Sequence, residues 1–551
     1  MATDSAVAST RPGDVGLRRE LGLIGAMWAS ETSIIGSGWL FASLYAAQAI
    51  GGAALIAWVV AGIAVIILAL VHAELGGMFP VSGGTARFPH FAFGSVAGIS
   101  FGFFSWLQAV TVSPIECFAV LQYGQYWMDA HNITIYNAST GNVTGLGFVI
   151  TIILMALFTA VNFLAMRAFG KVNNVITYWK VLIPVLAIII LIFKFHPSNL
   201  TAGGGFFPKG TGLKELLEAI PGAGIVFAYL GFEQADQLAG EVKDPQRNLP
   251  RAIIGATLIG VIIYCLLQLV FIGATPSDLL GKGFAGIPST SPIAIGPFAG
   301  LAGLVGLSWF AAVLRIDAFI SPSGTGLIYE TSTSRVGYGL ARNRYYPQVF
   351  AKVDKRGVPW VSLIVAFVLG LVFLLPFPSW HSLVGLVTSA SVLMYAGAPL
   401  SMGAFREQIP DHHRPYRMPG AKVLAPIAFI IANLIIYWSG FTTLWKLGIA
   451  MIVGYVLIGI FMSMDPQRPK LEWRSAQWLV PYLIVMGLLS WLGSFGGRGD
   501  IPFGLDLLCV AVWSLVVYYW AIASRLPAEE MQALVARQSA EHDPTLPEPA
   551  A

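Results

Sequence analysis

Glu31, Glu116, Lys180, Glu233, Asp236, Arg315 and Asp317 all fall inside stretches that are otherwise apolar. An ionisable side chain at membrane depth is costly, so each is a candidate for proton, ion or ligand chemistry. Lys180 closes the run Lys171-Val172-Asn173-Asn174-Val175-Ile176-Thr177-Tyr178-Trp179-Lys180. It either snorkels to the near surface or, withdrawn from water, holds and releases a proton. Glu116, between Ile115 and Cys117, is either satisfied within helix packing or joins a proton relay. Arg315 is suited to receive a carboxylate bidentately; otherwise it pairs with an acid on another helix or reaches an outer vestibule. Asp317, two residues on, does not share its helix face. Asp236 argues for a cationic ligand unless it is protonated or paired. Glu31 is suited to line an inner exit and has no more specific assignment.

Two of the apolar stretches are interrupted. Ser33-Ile34-Ile35-Gly36-Ser37-Gly38-Trp39 places two glycines around a serine in mid-span, and Leu230-Gly231-Phe232-Glu233 does the same with a glutamate beside it. Glycine weakens a helix, and open backbone survives at membrane depth only where it lines a cavity. The interruptions fall in the first and sixth candidate spans, so one helix runs outward and the other inward, as in inverted repeats with a substrate at the midplane. After the first break, the N–H groups of Ser37 and Gly38 sit at a positive helix end suited to a carboxylate. Spare carbonyls near Ile34, Ile35 and Phe227 to Leu230 suit an ammonium group. N–H groups on one side and C=O groups on the other fit an α-amino acid. Alone, Gly36-Ser37-Gly38 reads equally well as tight helix packing; the paired break favours a site. Glu233 is expected to hold free N–H groups at the second break, with a gating role.

The elements that position these residues follow from composition. The 551 residues are 56% hydrophobic and 11% charged, where a soluble chain carries about a quarter charged residues. The net charge of +4 is too weak and too scattered for a nucleic-acid surface. Cys117, Cys265 and Cys509 lie in apolar runs with no metal spacing, and no cofactor is expected. About fourteen spans of roughly 20 apolar residues are expected, near 21–50, 53–75, 95–126, 146–166, 173–194, 217–242, 252–273, 297–332, 359–376, 381–404, 423–442, 447–464, 477–494 and 503–523. Residues 1–20 carry Arg11, Arg18 and Arg19 and precede an apolar run too long for a cleavable signal. With that tail inside, most Lys and Arg fall on inside loops, including Lys243, Arg247, Arg251, Arg335, Arg342, Arg344, Arg406, Arg414 and Arg417. Both termini are therefore expected to be cytoplasmic, in a multi-pass plasma-membrane protein. Expected units are a tail 1–20, a ten-helix core 21–404, a loop 405–422, four accessory helices 423–523 and a disordered tail 524–551. The sequons at Asn132, Asn137 and Asn142 read as chance matches in an outer loop.

Several linked motifs resemble the amino acid–polyamine–organocation (APC) transporters. They are Ile35-Gly36-Ser37-Gly38; Ala73-Glu74-Leu75-Gly76-Gly77-Met78-Phe79-Pro80 with Ser82-Gly83-Gly84; and Phe227-Ala228-Tyr229-Leu230-Gly231-Phe232-Glu233 with Glu241-Val242-Lys243-Asp244-Pro245-Gln246-Arg247-Asn248-Leu249-Pro250. Ser334-Arg335-Val336 with Ala341-Arg342-Asn343 completes the set. Gly36-Ser37-Gly38-Trp39-Leu40-Phe41 and Ile320-Ser321-Pro322-Ser323-Gly324-Thr325-Gly326 look most like the aspartate–proton symporter branch. Asp236 and Gln237 depart from common members. The resemblance implies an all-α, leucine-transporter-like five-plus-five inverted repeat with broken helices 1 and 6, working by alternating access. It implies a substrate site at Ile34, Gly36, Ser37, Gly38, Phe227, Leu230 and Gly231, with Phe227 as gate. It also implies proton coupling through Lys180, with Glu116 as relay and Ser321 and Ser323 as hydrogen-bond partners of the lysine.

The expected function is import of an acidic or neutral amino acid by proton symport. The alternative is an exchanger, or a carrier of basic amino acids or polyamines, using Asp236 and Glu116 as cation partners. A non-transporting sensor would call for a signalling domain that the sequence does not show. An enzyme would call for a catalytic cluster, and His412-His413 reads as solvated surface rather than a metal site.

Overall fold

The computed structural model describes residues 21–542 apart from 82, 165 and 356; the expected tail 1–20 and residues 543–551 lie outside the described residues. Within it the chain is a helical bundle, with one two-residue ladder pairing Tyr136–Asn137 with Asn142–Val143 and an isolated bridge between Leu21 and Val242. The helices run α1 Leu23–Ile34, α2 Gly38–Ile50, α3 Ala54–Met78, α4 Gly84–Phe93, α5 Ser95–Asp129, α6 Gly145–Leu164 and α7 Met166–Leu191. Three short ones follow, α8 Leu213–Gly222, α9 Ile225–Tyr229 and α10 Gln234–Gln237, and then α11 Pro245–Ala274. Next come α12 Pro292–Ile295, α13 Pro297–Leu304, α14 Ser308–Arg342, α15 Trp360–Leu374, α16 Trp380–Tyr395 and α17 Gly397–Gln408. The last five are α18 Ala421–Trp438, α19 Phe441–Met464, α20 Leu479–Leu492, α21 Leu505–Ala523 and α22 Ala528–His542.

Among the described residues nine helical stretches are long and apolar enough to cross a membrane: Gly38–Met78, α5, Gly145–Phe163, Val175–Lys194, α11, Trp380–Gln408, α18, α19 and α21. The difference from the expected fourteen has local causes. The segment expected as a span at 217–242 is divided among α8, α9 and α10, none long enough alone. The span expected at 297–332 ends its first part at Leu304 and restarts as α14, whose length includes Arg315, Asp317 and Glu330. Helices α15 and α20 are apolar but shorter.

Burial separates inner from outer helices. The apolar window of α5 is wholly buried within the protein, whereas only 22% of that of α19 is. On α19 the large apolar residues Ile452, Val453, Val456 and Ile460 are exposed, as lipid-facing residues must be. Inside, α5 packs along α14 and α3 along α11.

The tail expected to be disordered forms α22 over Ala528–His542. Ala, Glu and Gln favour helix, and Glu529 and Glu530 sit at its positive end. Met531 is buried, and just ahead of the helix Leu526 donates its N–H to Ala92 and accepts from Gln408 Nε2 at 2.7 Å. With Leu534 and Val535 also packed against the core, a few apolar residues hold a segment whose composition is otherwise polar.

Candidate functional site

The two interruptions pack against each other. α1 ends at Ile34 and α2 begins at Gly38, while α9 ends at Tyr229 and α10 begins at Gln234. Gly231 has φ +122°, a conformation that disfavours any side chain. A Cβ there would lie 2.6 Å from Ser33 Cβ and 2.7 Å from the Ile34 nitrogen. On the other side, a Cβ on Gly38 would lie 2.7 Å from Ala228 Cα. The glycines thus serve close approach of two backbones. Between them remains a cavity of about 10 Å³, room for one water, lined by Ser33, Ile34, Gly36, Gly38, Val112, Glu116, Phe227, Leu230, Thr325 and Tyr329.

The backbone groups freed by the first break are held by side chains. Ser37 donates its N–H to Glu116 Oε2 at 2.9 Å and its hydroxyl to Oε1 at 3.0 Å. Trp380 Nε1 donates to the same hydroxyl at 2.7 Å. Tyr264 donates to the Ile34 carbonyl at 2.7 Å. The Ser37 N–H, expected to face a substrate carboxylate, therefore faces a carboxylate of the protein itself. A buried acid needs donors, and a helix N-terminus supplies them. At the second break, Glu233 accepts from the Gly231 N–H at 3.0 Å, from Tyr395 at 2.5 Å and from Tyr329 at 3.2 Å.

Lys180 is fully buried and does not snorkel. Its Nζ donates to the Thr32 carbonyl at 2.5 Å and to Thr325 Oγ1 at 2.7 Å. Gly36 lies between this group and Glu116, because a Cβ on it would meet Thr325 Oγ1 at 2.8 Å and Glu116 Oε1 at 2.9 Å. The lysine and the glutamate thus reach the first break from opposite sides.

Residues 21–489 match the amino acid permease family. The chain belongs to this family. The permease is 37% identical over 501 residues to the aspartate-proton symporter of Bacillus subtilis strain 168, covering 90% of this chain and 94% of that one. It is 35% identical over 529 residues to the glutamate/serine transporter AimA of the same organism, covering 94% and 96%. The branched-chain amino acid permease BcaP of that organism is 24% identical over 461 residues, covering 82% and 94%. The permease is accordingly a multi-pass membrane transporter of amino acids within the APC superfamily, and not an enzyme.

Two expected contacts of the permease, those of Ser321 and Ser323 with Lys180, differ from the geometry, and the other charged residues are placed as follows. Ser321 and Ser323 do not bond Lys180: Ser321 gives its hydroxyl to Asp317 Oδ1 at 2.8 Å, and the residue that meets the lysine is Thr325. Thr325 is four residues beyond Ser321, hence on the same helix face and a turn closer. Arg315 does not enter the cavity; its guanidinium lies 3.5 Å over the Tyr126 ring. Asp236 faces no open cation site, because His72 Nδ1 lies 3.2 Å from its Oδ2. Glu31 is buried with both carboxylate oxygens unpartnered among the described residues.

Sequence reasoning also missed Trp380, Tyr264, Tyr395 and His72. The Phe227 ring stands edge-on to Trp380 at 5.7 Å, and Trp380 stacks on Tyr45 at 5.7 Å. Phe227 lines the cavity and packs against an indole anchored on Ser37. Phe227→Ala is expected to speed the loss of bound amino acid about tenfold, with an intact fold. Stopped-flow dissociation checks this, and an unchanged off-rate would remove the gate assignment.

Proposed function

We propose that the permease imports an acidic or neutral amino acid by proton symport, moving the substrate through the junction of the two broken helices by alternating access. The observation that carries this reading is Lys180, fully buried and bound to the Thr32 carbonyl and Thr325 Oγ1 beside the first break. A proton lost or gained there changes the bonds that hold α1 to α14, which couples charge to the shape of the site. Glu116 links the same break to Ser37 and Trp380 and so connects proton and gate. The cavity of about 10 Å³ is too small for an amino acid, which fits a closed form that opens to load. The names of the aspartate-proton symporter and the glutamate/serine transporter support the substrate class and the coupling ion.

In this reading residues 21–404 form a five-plus-five inverted-repeat core whose first and sixth spans are the broken ones. Residues 423–523 add four helices to make about fourteen spans, and the loops rich in Lys and Arg, with both termini, face the cytoplasm. The alternative as a carrier of basic amino acids or polyamines is weakened by the His72 contact, which occupies Asp236.

The test is uptake of labelled aspartate, glutamate, serine and lysine into proteoliposomes, with and without an inward proton gradient. Lys180→Ala is expected to lower gradient-driven accumulation about tenfold or more while counterflow exchange persists. Wild-type uptake indifferent to the gradient would make the permease an exchanger or facilitator, and preference for lysine would reverse the substrate class.

A further inference from the structure

Beyond Lys180, the permease holds a second pair of ionisable groups that nothing above employs. His72 on α3 and Asp236 on α10 are both fully buried, with Nδ1 and Oδ2 3.2 Å apart. The other atom of each group, His72 Nε2 and Asp236 Oδ1, is buried without a hydrogen-bond partner among the described residues. Phe232, Tyr395 and Phe88 surround the imidazole, with ring centroids at 5.4, 5.5 and 6.4 Å. The enclosure around the imidazole is thus aromatic, with two polar atoms left open.

We propose that His72 and Asp236 form a proton-binding site separate from Lys180, filled while α10 is packed dry against α3 and emptied when water reaches α10. With one proton added, the pair is an imidazolium and a carboxylate, or an imidazole and a carboxylic acid, of zero net charge. Without it, a neutral imidazole faces a carboxylate whose Oδ1 has no donor, leaving one negative charge in an apolar place. Burying an unpaired charge is strongly unfavourable, so dry packing and proton binding reinforce each other. The proton comes from water and returns to water; no other bond is made or broken.

Among the described residues, the charged groups around the pair are turned to other partners or lie at the surface. On α3, Glu74 turns to Arg406 and Arg414. Beside α10, Glu233 is taken by Tyr329, Tyr395 and the Gly231 N–H, and Glu241 pairs with Arg335. On α4, Arg87 approaches Asn343 and His90 pairs with Tyr345. From α11, Ile253 is the nearest side chain across Gly76, and Arg247 and Arg251 at its start are exposed. α1, packed on α10, contributes the acid Glu31.

α10 suits such control because it spans only Gln234–Gln237 and depends on side chains for its position. Ser30 bonds the Phe232 carbonyl at 2.9 Å, Ser332 bonds Gln234 at 2.7 Å and Gln237 bonds Thr85 at 2.6 Å. The His72 contact is the only one of these four that involves a titratable pair.

The test is hydrogen–deuterium exchange over residues 230–241 of the full-length permease in lipid nanodiscs, corrected for intrinsic rates. Protection is expected to be about fivefold greater near about pH 6 than near about pH 8. In His72→Gln/Asp236→Asn, which keeps a neutral hydrogen bond, the two pH values should give equal protection. Should that variant not accumulate, Asp236→Asn alone carries the same expectation, since its side-chain amide still offers the imidazole a partner. A wild type without the pH difference, or a variant that retains it, overturns the site. Lys180→Ala should keep the wild-type difference; its loss would mean that the two sites are one. Because exchange is read without substrate or gradient, a failure of proton-driven uptake would refute the symport reading and leave this result to stand or fall by itself.

Discussion

Gly38→Val abolishes uptake. The added Cβ would lie 2.7 Å from Ala228 Cα and 2.8 Å from Ala228 Cβ, so it meets the backbone of α9, which has no flexible end to yield. The α2 and α9 half-helices must separate, carrying with them Ser37 on one side and Phe227 on the other. Displacement of a binding constellation by about 1 Å can cost about 100-fold in rate, and uptake of labelled substrate into proteoliposomes is expected to fall by at least about that factor. Expression and monodispersity should survive, because α2 otherwise keeps its contacts with α8 and α11. Uptake near the wild-type level would mean that the junction of the two breaks is not the route. Gly38→Ala is a milder form of the same test and should give an intermediate loss.

Glu116→Gln is the second large effect. The amide oxygen can still accept the Ser37 N–H, now at 2.9 Å from the carboxylate, and the Ser37 hydroxyl can accept from the new NH₂ as well as from Trp380. What the variant removes is the capacity to take up and release a proton at the group that approaches Gly36. Gradient-driven accumulation is expected to fall about tenfold or more while exchange stays within about twofold. Glu116→Leu should do worse on both counts, since it leaves a buried N–H unsatisfied at a cost of about 1–3 kcal/mol, visible as a lower Tm. If Gln and Leu lose transport and stability alike, Glu116 serves the packing of the break and takes no part in coupling.

The breaks were legible in the sequence because two glycine-bearing interruptions fall in mid-span, whereas Gly36-Ser37-Gly38 alone reads equally well as tight helix packing. Ile34, Gly36, Gly38, Phe227, Leu230 and Glu116 all line the cavity. The partners were not legible. Thr32 and Lys180 are separated by 148 residues, and His72 and Asp236 by 164. No local spacing reports such meetings. Ser321 and Ser323 were expected to meet the lysine because they are hydroxyl residues on the right helix, but their neighbour Thr325 is the one whose position along that face reaches it. For Arg315 the sequence left open a substrate carboxylate, an acid on another helix or an outer vestibule, and Tyr126 offers it an aromatic face. At 528–542 overall composition hid the apolar residues Met531, Leu534 and Val535, which pack against the core.

In the proposed symport cycle the carrier must also travel back empty. In the closed permease Glu116 stands in for a substrate carboxylate at the Ser37 N–H, and Tyr264 stands in for a donor at the Ile34 carbonyl. Neither backbone group is stranded on the vacant return stroke, so the idle carrier meets no desolvation barrier at that point. Cargo must then outcompete these built-in surrogates on every cycle. The net gain on loading is only the difference between two similar sets of bonds, which keeps the grip light enough to let go on the far side.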